Sequence, residues 1–304
     1  MSDTNAKFKG VIPPMVTPLK SASTLDVAGL ERLVEHLVSG GVHGLFILGT
    51  TGEGPSLGGK LKKELVERVC ALVGKRVPVL VGVTDAAFAE TVELAERCAG
   101  CGADAVVLAM PYYFPAGQAE LLEYLERLMP EIPLPLLLYN MPTMTKIDIA
   151  PETVRKAADI KGIVGCKDSS GNMGAFHQLL RLFADKPDFS LLMGSEELLG
   201  EAVLFGGDGG VPGGANLFPR LFVDMYNAAK AQDVAGILER QKRIHALREI
   251  YQIGRYPSSA IKGVKCALSL LGICDDFMEE PFHRFRQAER ETLERKLKGF
   301  AALG

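Results

Sequence analysis

The sequence predicts a (β/α)8 barrel carrying a helical extension at its C-terminal end. Three observations carry that expectation. Short apolar runs alternate with amphipathic stretches through the first 230 residues. Most of the runs begin about 27 to 34 residues apart, the size of one strand–helix unit with its loops. The runs FILG, VLVGV, AVVLAM and LLLYN are apolar throughout rather than alternating, as parallel strands buried on both faces are. An open doubly wound sheet is the competing architecture. It needs a phosphate-binding glycine loop after an early strand, and Gly49-Thr50-Thr51-Gly52-Glu53-Gly54 does not match that fingerprint.

In chain order, the strands are expected to begin near Val11, Gly44, Pro78, Ala105, Pro135, Ile163, Ser190 and Gly209. Residues 26–39 place Leu30, Leu33, Val34, Leu37 and Val38 at helical spacing, and residues 89–99 and 120–129 behave similarly. The glycine-rich stretch 206–216 supplies the eighth strand and its loop. Beyond residue 231 strand signals stop, and 232–251, 258–271 and 281–300 read as three helices. The expected organisation is therefore a catalytic barrel over 1–230 and a three-helix appendage over 231–304. No Pro/Ser-rich stretch joins them, so no flexible tether is expected.

Bulk properties narrow the function classes. The 304 residues are 47% hydrophobic and 23% charged, with a net charge of −3. That charge is too small to suggest a nucleic-acid or anionic-membrane partner, and no window is apolar long enough to span a bilayer. The N-terminal MSDTNAKFKG lacks an apolar signal core, so a cytoplasmic location is expected. Cysteines 70, 98, 101, 166, 266 and 274 then read as free thiols. Cys98 and Cys101 have C-x-x-C spacing, but a zinc site needs a second ligand pair, and a helix end running into a turn explains them. The histidines, at 36, 43, 177, 245 and 283, form no i,i+4 pair and lie near no carboxylate cluster, which disfavours a metal-dependent aldolase. The charged stretch 289–298 reads as a solvated helix face.

Chemistry concentrates at three strand ends, where a barrel places its active site. Lys167 interrupts the apolar run Ile163-Val164-Gly165-Cys166 and precedes the turn Asp168-Ser169-Ser170-Gly171. Desolvation there favours a neutral amine, which can condense with a ketone. The alternative is a lysine whose stem packs while its head reaches water. Tyr139, in Tyr139-Asn140-Met141-Pro142 after strand five, is either a proton-transferring phenol or a core tyrosine with a satisfied hydroxyl. The turn 49–53 after strand two is either an anion-binding array of N–H groups and hydroxyls or a helix-capping turn. Neighbouring strands lie about 4.8 Å apart, so Tyr139 and Lys167 should face one cavity, with Thr51 completing a hydroxyl relay. An amine, a phenol, a threonine and an anion-binding turn suit attack on a 2-oxo acid.

The segments GTTGE, PYYFP (Pro111 to Pro115), YNMP and GCKDSSG, in this order and spacing, resemble the dihydrodipicolinate synthase / N-acetylneuraminate lyase family. The resemblance covers essentially the whole chain. It implies a barrel whose Lys167 forms an imine with pyruvate or another 2-oxo acid, with no separate cofactor, and whose Tyr139 transfers protons. It implies that Thr50 and Thr51 hold the keto-acid carboxylate, with Thr51 also touching Tyr139. Tyr113 matches a tyrosine that crosses the dimer interface in the synthase branch; the plainer reading of Tyr112 and Tyr113 is a pair of packing aromatics. A homotetramer, a dimer of dimers, is implied. The segment Gly194-Ser195-Glu196-Glu197 matches an acidic stretch that binds substrate hydroxyls in the sialic-acid lyase branch, although first-turn glutamates at a helix start explain it as well. Gly194, Glu196 and Val211 are the further substrate-binding candidates, and Ser169 is a minor one.

One departure bears on substrate. Where the resemblance places a carboxylate-binding arginine in the lysine-pathway synthase, this chain has Met144, with Lys146 nearby. Methionine cannot make a bidentate pair with a carboxylate, and losing such a partner costs about 2–5 kcal/mol. An aldolase or dehydratase acting on a 2-oxo-3-deoxy sugar acid is therefore the first expectation. Condensation of pyruvate with aspartate semialdehyde is the second, and a non-catalytic keto-acid-binding barrel the third.

Overall fold

The computed structural model describes residues 7–301, so the first six residues read for a signal core lie outside it, as do the last three. Eight parallel strands follow one another in the chain: β1 (Gly10–Val11), β2 (Leu45–Ile47), β3 (Val79–Gly82), β4 (Ala105–Ala109), β5 (Leu136–Asn140), β6 (Ile163–Asp168), β7 (Ser190–Met193) and β8 (Gly209–Gly210). Each pairs with its sequence neighbour from β2 to β8, and β8 pairs with β1. The ring closes between β1 and β2. Pro14 bridges Phe46, the Phe46 N–H donates to Pro13 (3.0 Å), and the Met15 N–H donates to Phe46 (2.8 Å).

The unbroken apolar runs are explained by two buried surfaces. Ala105, Val107 and Ala109 of β4 and Leu137 and Tyr139 of β5 join a cluster inside the barrel. The intervening Val106, Leu108, Leu136 and Leu138 pack outward against the helices. The first helix spans Val27–Ser39, capped by Asp26, whose carboxylate accepts from the Gly29 N–H at 3.1 Å. The stretches 89–99 and 120–129 are realised as Phe88–Gly100 and Gln118–Leu128. A small hairpin, Leu19–Ser21 with Thr24–Leu25, follows β1 and had no sequence signal.

The C-terminal segment contributes Val234–Leu247, Ser259–Leu270 and Gln287–Ala301. Its Val264, Leu268 and Leu293 are fully or nearly fully buried in the same core as the barrel helices. The last helix begins at 287 rather than near 281. The Glu289 carboxylate accepts from the Arg286 backbone N–H at 2.8 Å, the reach-back of a capping box that fixes the helix start there. Among the described residues no helix is long and apolar enough to cross a membrane.

Candidate active site

The register between β5 and β6 sets Tyr139 directly opposite Lys167, both near the C-terminal ends of their strands. Each points into the barrel and is about 95% removed from water. The Lys167 Nζ lies 3.9 Å from the centroid of the Tyr139 ring and 4.9 Å from that of Phe46. Burial lowers the pKa of the amine, partly opposed by the neighbouring phenol. Burial is the largest single influence on the Tyr139 phenol and would raise it, but the Lys167 charge and hydrogen bonds from Thr50, Lys167 and Ser169 together outweigh it, and the phenol is lowered overall. Amine and phenol thus compete for one proton in an apolar chamber.

The turn after β2 supplies the third group, with one correction. It is the Thr50 hydroxyl that meets the Tyr139 phenol, at 3.3 Å, not that of Thr51. The chain leaves β2 through Leu48 in the left-handed region (φ +59°), which rotates the turn so that its first threonine faces the phenol. Thr51 lies half-buried beside it. Gly49 is obligatory, because a Cβ there would sit 2.6 Å from the Phe46 ring.

Asp168, next to the lysine, is buried, and burial raises its carboxyl. It accepts from Asn140 Nδ2 at 2.9 Å and from the Ser170 hydroxyl at 2.9 Å, which ties the ends of β5 and β6 together. Gly194 closes against this turn. Its N–H donates to the Asp168 carbonyl at 2.7 Å, and a Cβ there would lie 1.8 Å from the Ser169 hydroxyl oxygen. Val211 belongs to the inner cluster with Tyr139 and Leu192.

Other candidates lie elsewhere. Glu196 does not stand open to a polyol: its carboxylate is buried and accepts from the Gly214 N–H at 2.6 Å. Its second oxygen is buried without a hydrogen-bond partner. The short turn Glu196–Leu198 folds the side chain onto the β8 loop, where the Gly214 N–H is waiting. Glu197 pairs with Arg248 at 2.8 Å. Burial pushes the Glu196 carboxyl up to about 7, against the lowering effect of Gly214. A carboxyl raised from 4.5 on folding contributes stability that is complete below pH 4.5 and is lost as pH climbs through about 7. Glu196→Gln should abolish a stability loss of about 3 kcal/mol over that window, as measured by denaturant unfolding at pH 4.5 and 7.5.

Tyr113 stands 85% exposed beside Phe114 and does not reach Tyr139 within the chain. Met144, half-exposed, lies on the one-turn helix Pro142–Thr145, and Lys146 turns its ammonium onto the Thr143 carbonyl at 2.8 Å. Cys98 sits buried near the end of Phe88–Gly100, and burial pushes its thiol up to about 12.

The sequence model of the dihydrodipicolinate synthetase family matches residues 7–300. The chain belongs to that family. It is 34% identical over 249 residues to the probable 2-dehydro-3-deoxy-D-pentonate aldolase of Escherichia coli K12, covering 81% of this chain and 83% of that protein. Among solved structures, dihydrodipicolinate synthase from Bacteroides thetaiotaomicron is 50% identical with a TM-score of 0.94, covering 96% of this chain and 98% of that one. A prophage protein of the family from Escherichia coli K12, solved in complex with pyruvate, is 30% identical with a TM-score of 0.91, covering 97% and 99%. The chain is accordingly a lyase of the dihydrodipicolinate synthetase family.

Two structural groups of this family member escaped sequence reasoning. Asn216 is fully buried; its Oδ1 accepts from the Val16 N–H, and its Nδ2 donates to Pro14 and Gly213, pinning the β8 loop to the end of β1. Lys265 is fully buried against Glu53 at 2.6 Å. The available signals were an amide inside a glycine-rich stretch and a lysine on the apolar face of a helix.

Proposed function

We propose that this protein is a Schiff-base lyase that cleaves a 2-oxo-3-deoxy sugar acid into pyruvate and an aldehyde, or dehydrates it. The observation that carries the proposal is the Lys167 amine, desolvated and 3.9 Å from the centroid of the Tyr139 ring. The neutral amine adds to the 2-oxo carbon, and loss of water gives an imine whose protonated form is an electron sink. Tyr139, lowered by its neighbours, takes the proton of the C4 hydroxyl. The C3–C4 bond breaks, its electron pair passes to the iminium as an enamine, and the aldehyde leaves. Protonation at C3 and hydrolysis then release pyruvate and restore the amine. The iminium takes up the electron pair as an enamine and the enamine returns it on protonation at C3, so the proposal includes no other cofactor. Thr50 and Thr51 are assigned to the keto-acid carboxylate, Gly194 and Val211 to the chamber wall.

The second reading is condensation of pyruvate with aspartate semialdehyde. The 50% identity to the Bacteroides synthase favours it, and Met144, which offers no cation to the aldehyde's carboxylate, opposes it. A cytoplasmic homotetramer, a dimer of dimers, completes the proposal. Tyr113 and Phe114, both at least 80% exposed, are the aromatics that such an interface would cover. A substrate panel tests the function. Pyruvate should be released from 2-oxo-3-deoxy pentonates or hexonates at rates of order 1 per second or more, with aspartate semialdehyde consumed at least about a hundredfold more slowly, in keeping with the missing charge. The reverse ranking overturns the sugar-acid reading.

A further inference from the structure

The turn that carries Thr50 and Thr51 is held in place from the far end of the chain. Lys265, on the helix Ser259–Leu270, places its ammonium 2.6 Å from Glu53 Oε1, and neither side chain is more than 1% exposed. The other oxygen, Glu53 Oε2, accepts from the Glu279 backbone N–H at 2.9 Å. Glu279 in turn accepts from the Ser23 N–H at 2.8 Å. We infer that the buried Glu53–Lys265 ion pair positions the carboxylate-binding turn, making keto-acid recognition depend on the C-terminal helices; this rests on the proposed function above.

The geometry leads from the ion pair to the reacting groups in short steps. Glu53 is a non-glycine residue held at φ +58°, a conformation that persists only where its surroundings impose it. Its N–H donates to the Thr50 carbonyl at 3.1 Å, and the Thr50 hydroxyl meets Tyr139 at 3.3 Å. The Thr17 hydroxyl holds the Gly52 carbonyl at 2.6 Å. The turn has no slack: a Cβ on Gly52 would lie 2.9 Å from the Met15 carbonyl oxygen, and one on Gly54 would lie 2.1 Å from that of Leu48. A buried ion pair is a poor stabiliser compared with an apolar pair of the same volume. Its distinctive property is direction. Two anchors on one carboxylate fix the rotation of Glu53, and with it the direction of Thr50, which an apolar contact would leave free.

The test compares pyruvate with methyl pyruvate, whose ester lacks the anionic carboxylate, by the rate at which cyanoborohydride traps each on Lys167. The double variant Glu53→Gln/Lys265→Met removes both charges together. The preference for pyruvate over the ester should fall about tenfold, through misplacement of the turn, while the ester is trapped at near the wild-type rate. A merely structural role lowers both rates alike. Glu53→Asp, which keeps the charge but shortens its reach by one methylene, is read the same way if the double variant does not fold. An unchanged preference in whichever variant folds overturns the inference, as does failure of both to fold, which assigns the pair to stability alone. Wild-type protein that forms no adduct with pyruvate overturns the functional reading first and takes this inference with it.

Discussion

Lys167→Ala is expected to lower turnover by about 10⁴-fold or more, the scale seen when a covalent nucleophile is removed. The protein should remain folded. Among the described residues the amine pairs with no carboxylate, and the Tyr139 phenol it faces keeps its contact with the Thr50 hydroxyl, so its loss strands no buried charge. Lys167→Arg should fare no better, because a guanidinium stays protonated and cannot add to a carbonyl. The measurement is kcat on the best substrate of the panel, beside thermal unfolding. Folded Lys167→Ala protein that retains more than a few per cent of turnover would mean that the chemistry lies elsewhere.

The second large effect belongs to Tyr139→Phe. Only one oxygen is lost, at a position where the ring is packed edge-on against Phe46 and kept in place. A positioned acid–base group typically contributes about 10²–10⁴-fold, so kcat should fall by that amount. The effect should fall on carbon–carbon cleavage rather than on adduct formation. Pyruvate should still be trapped on Lys167, because the amine keeps its apolar surroundings. A variant that turns over within threefold of wild type would remove Tyr139 from the mechanism. The same loss in Thr50→Val would place the 3.3 Å hydroxyl contact in the same proton path.

Lys167 and Tyr139 were legible in the sequence because a parallel barrel converts sequence order into spatial order. Adjacent strand runs give adjacent strands, and the polar pairs that end these two runs, Tyr139-Asn140 and Lys167-Asp168, mark the mouth of the chamber. The choice between Thr50 and Thr51 was not legible. It turns on the left-handed backbone at Leu48, a residue type that gives no warning of it. Glu196 read either as a binder of substrate hydroxyls or as a first-turn glutamate at a helix start, yet the β8 loop offers the Gly214 N–H and draws the carboxylate inward. Lys265 could not be placed because its partner lies 212 residues away, and only the closed ring brings the two together. The start of the last helix rests on Glu289 reaching back to the Arg286 N–H, half of a capping box without the Ser or Thr that would have marked it in the sequence.

Peptide mapping after reduction decides the matter most directly. Protein incubated with pyruvate and cyanoborohydride should gain one reduced pyruvyl group per chain, on the peptide containing Lys167, with Lys265 and Lys146 unmodified. Full recovery of that peptide without added mass, under conditions where substrate is turned over, would contradict the account.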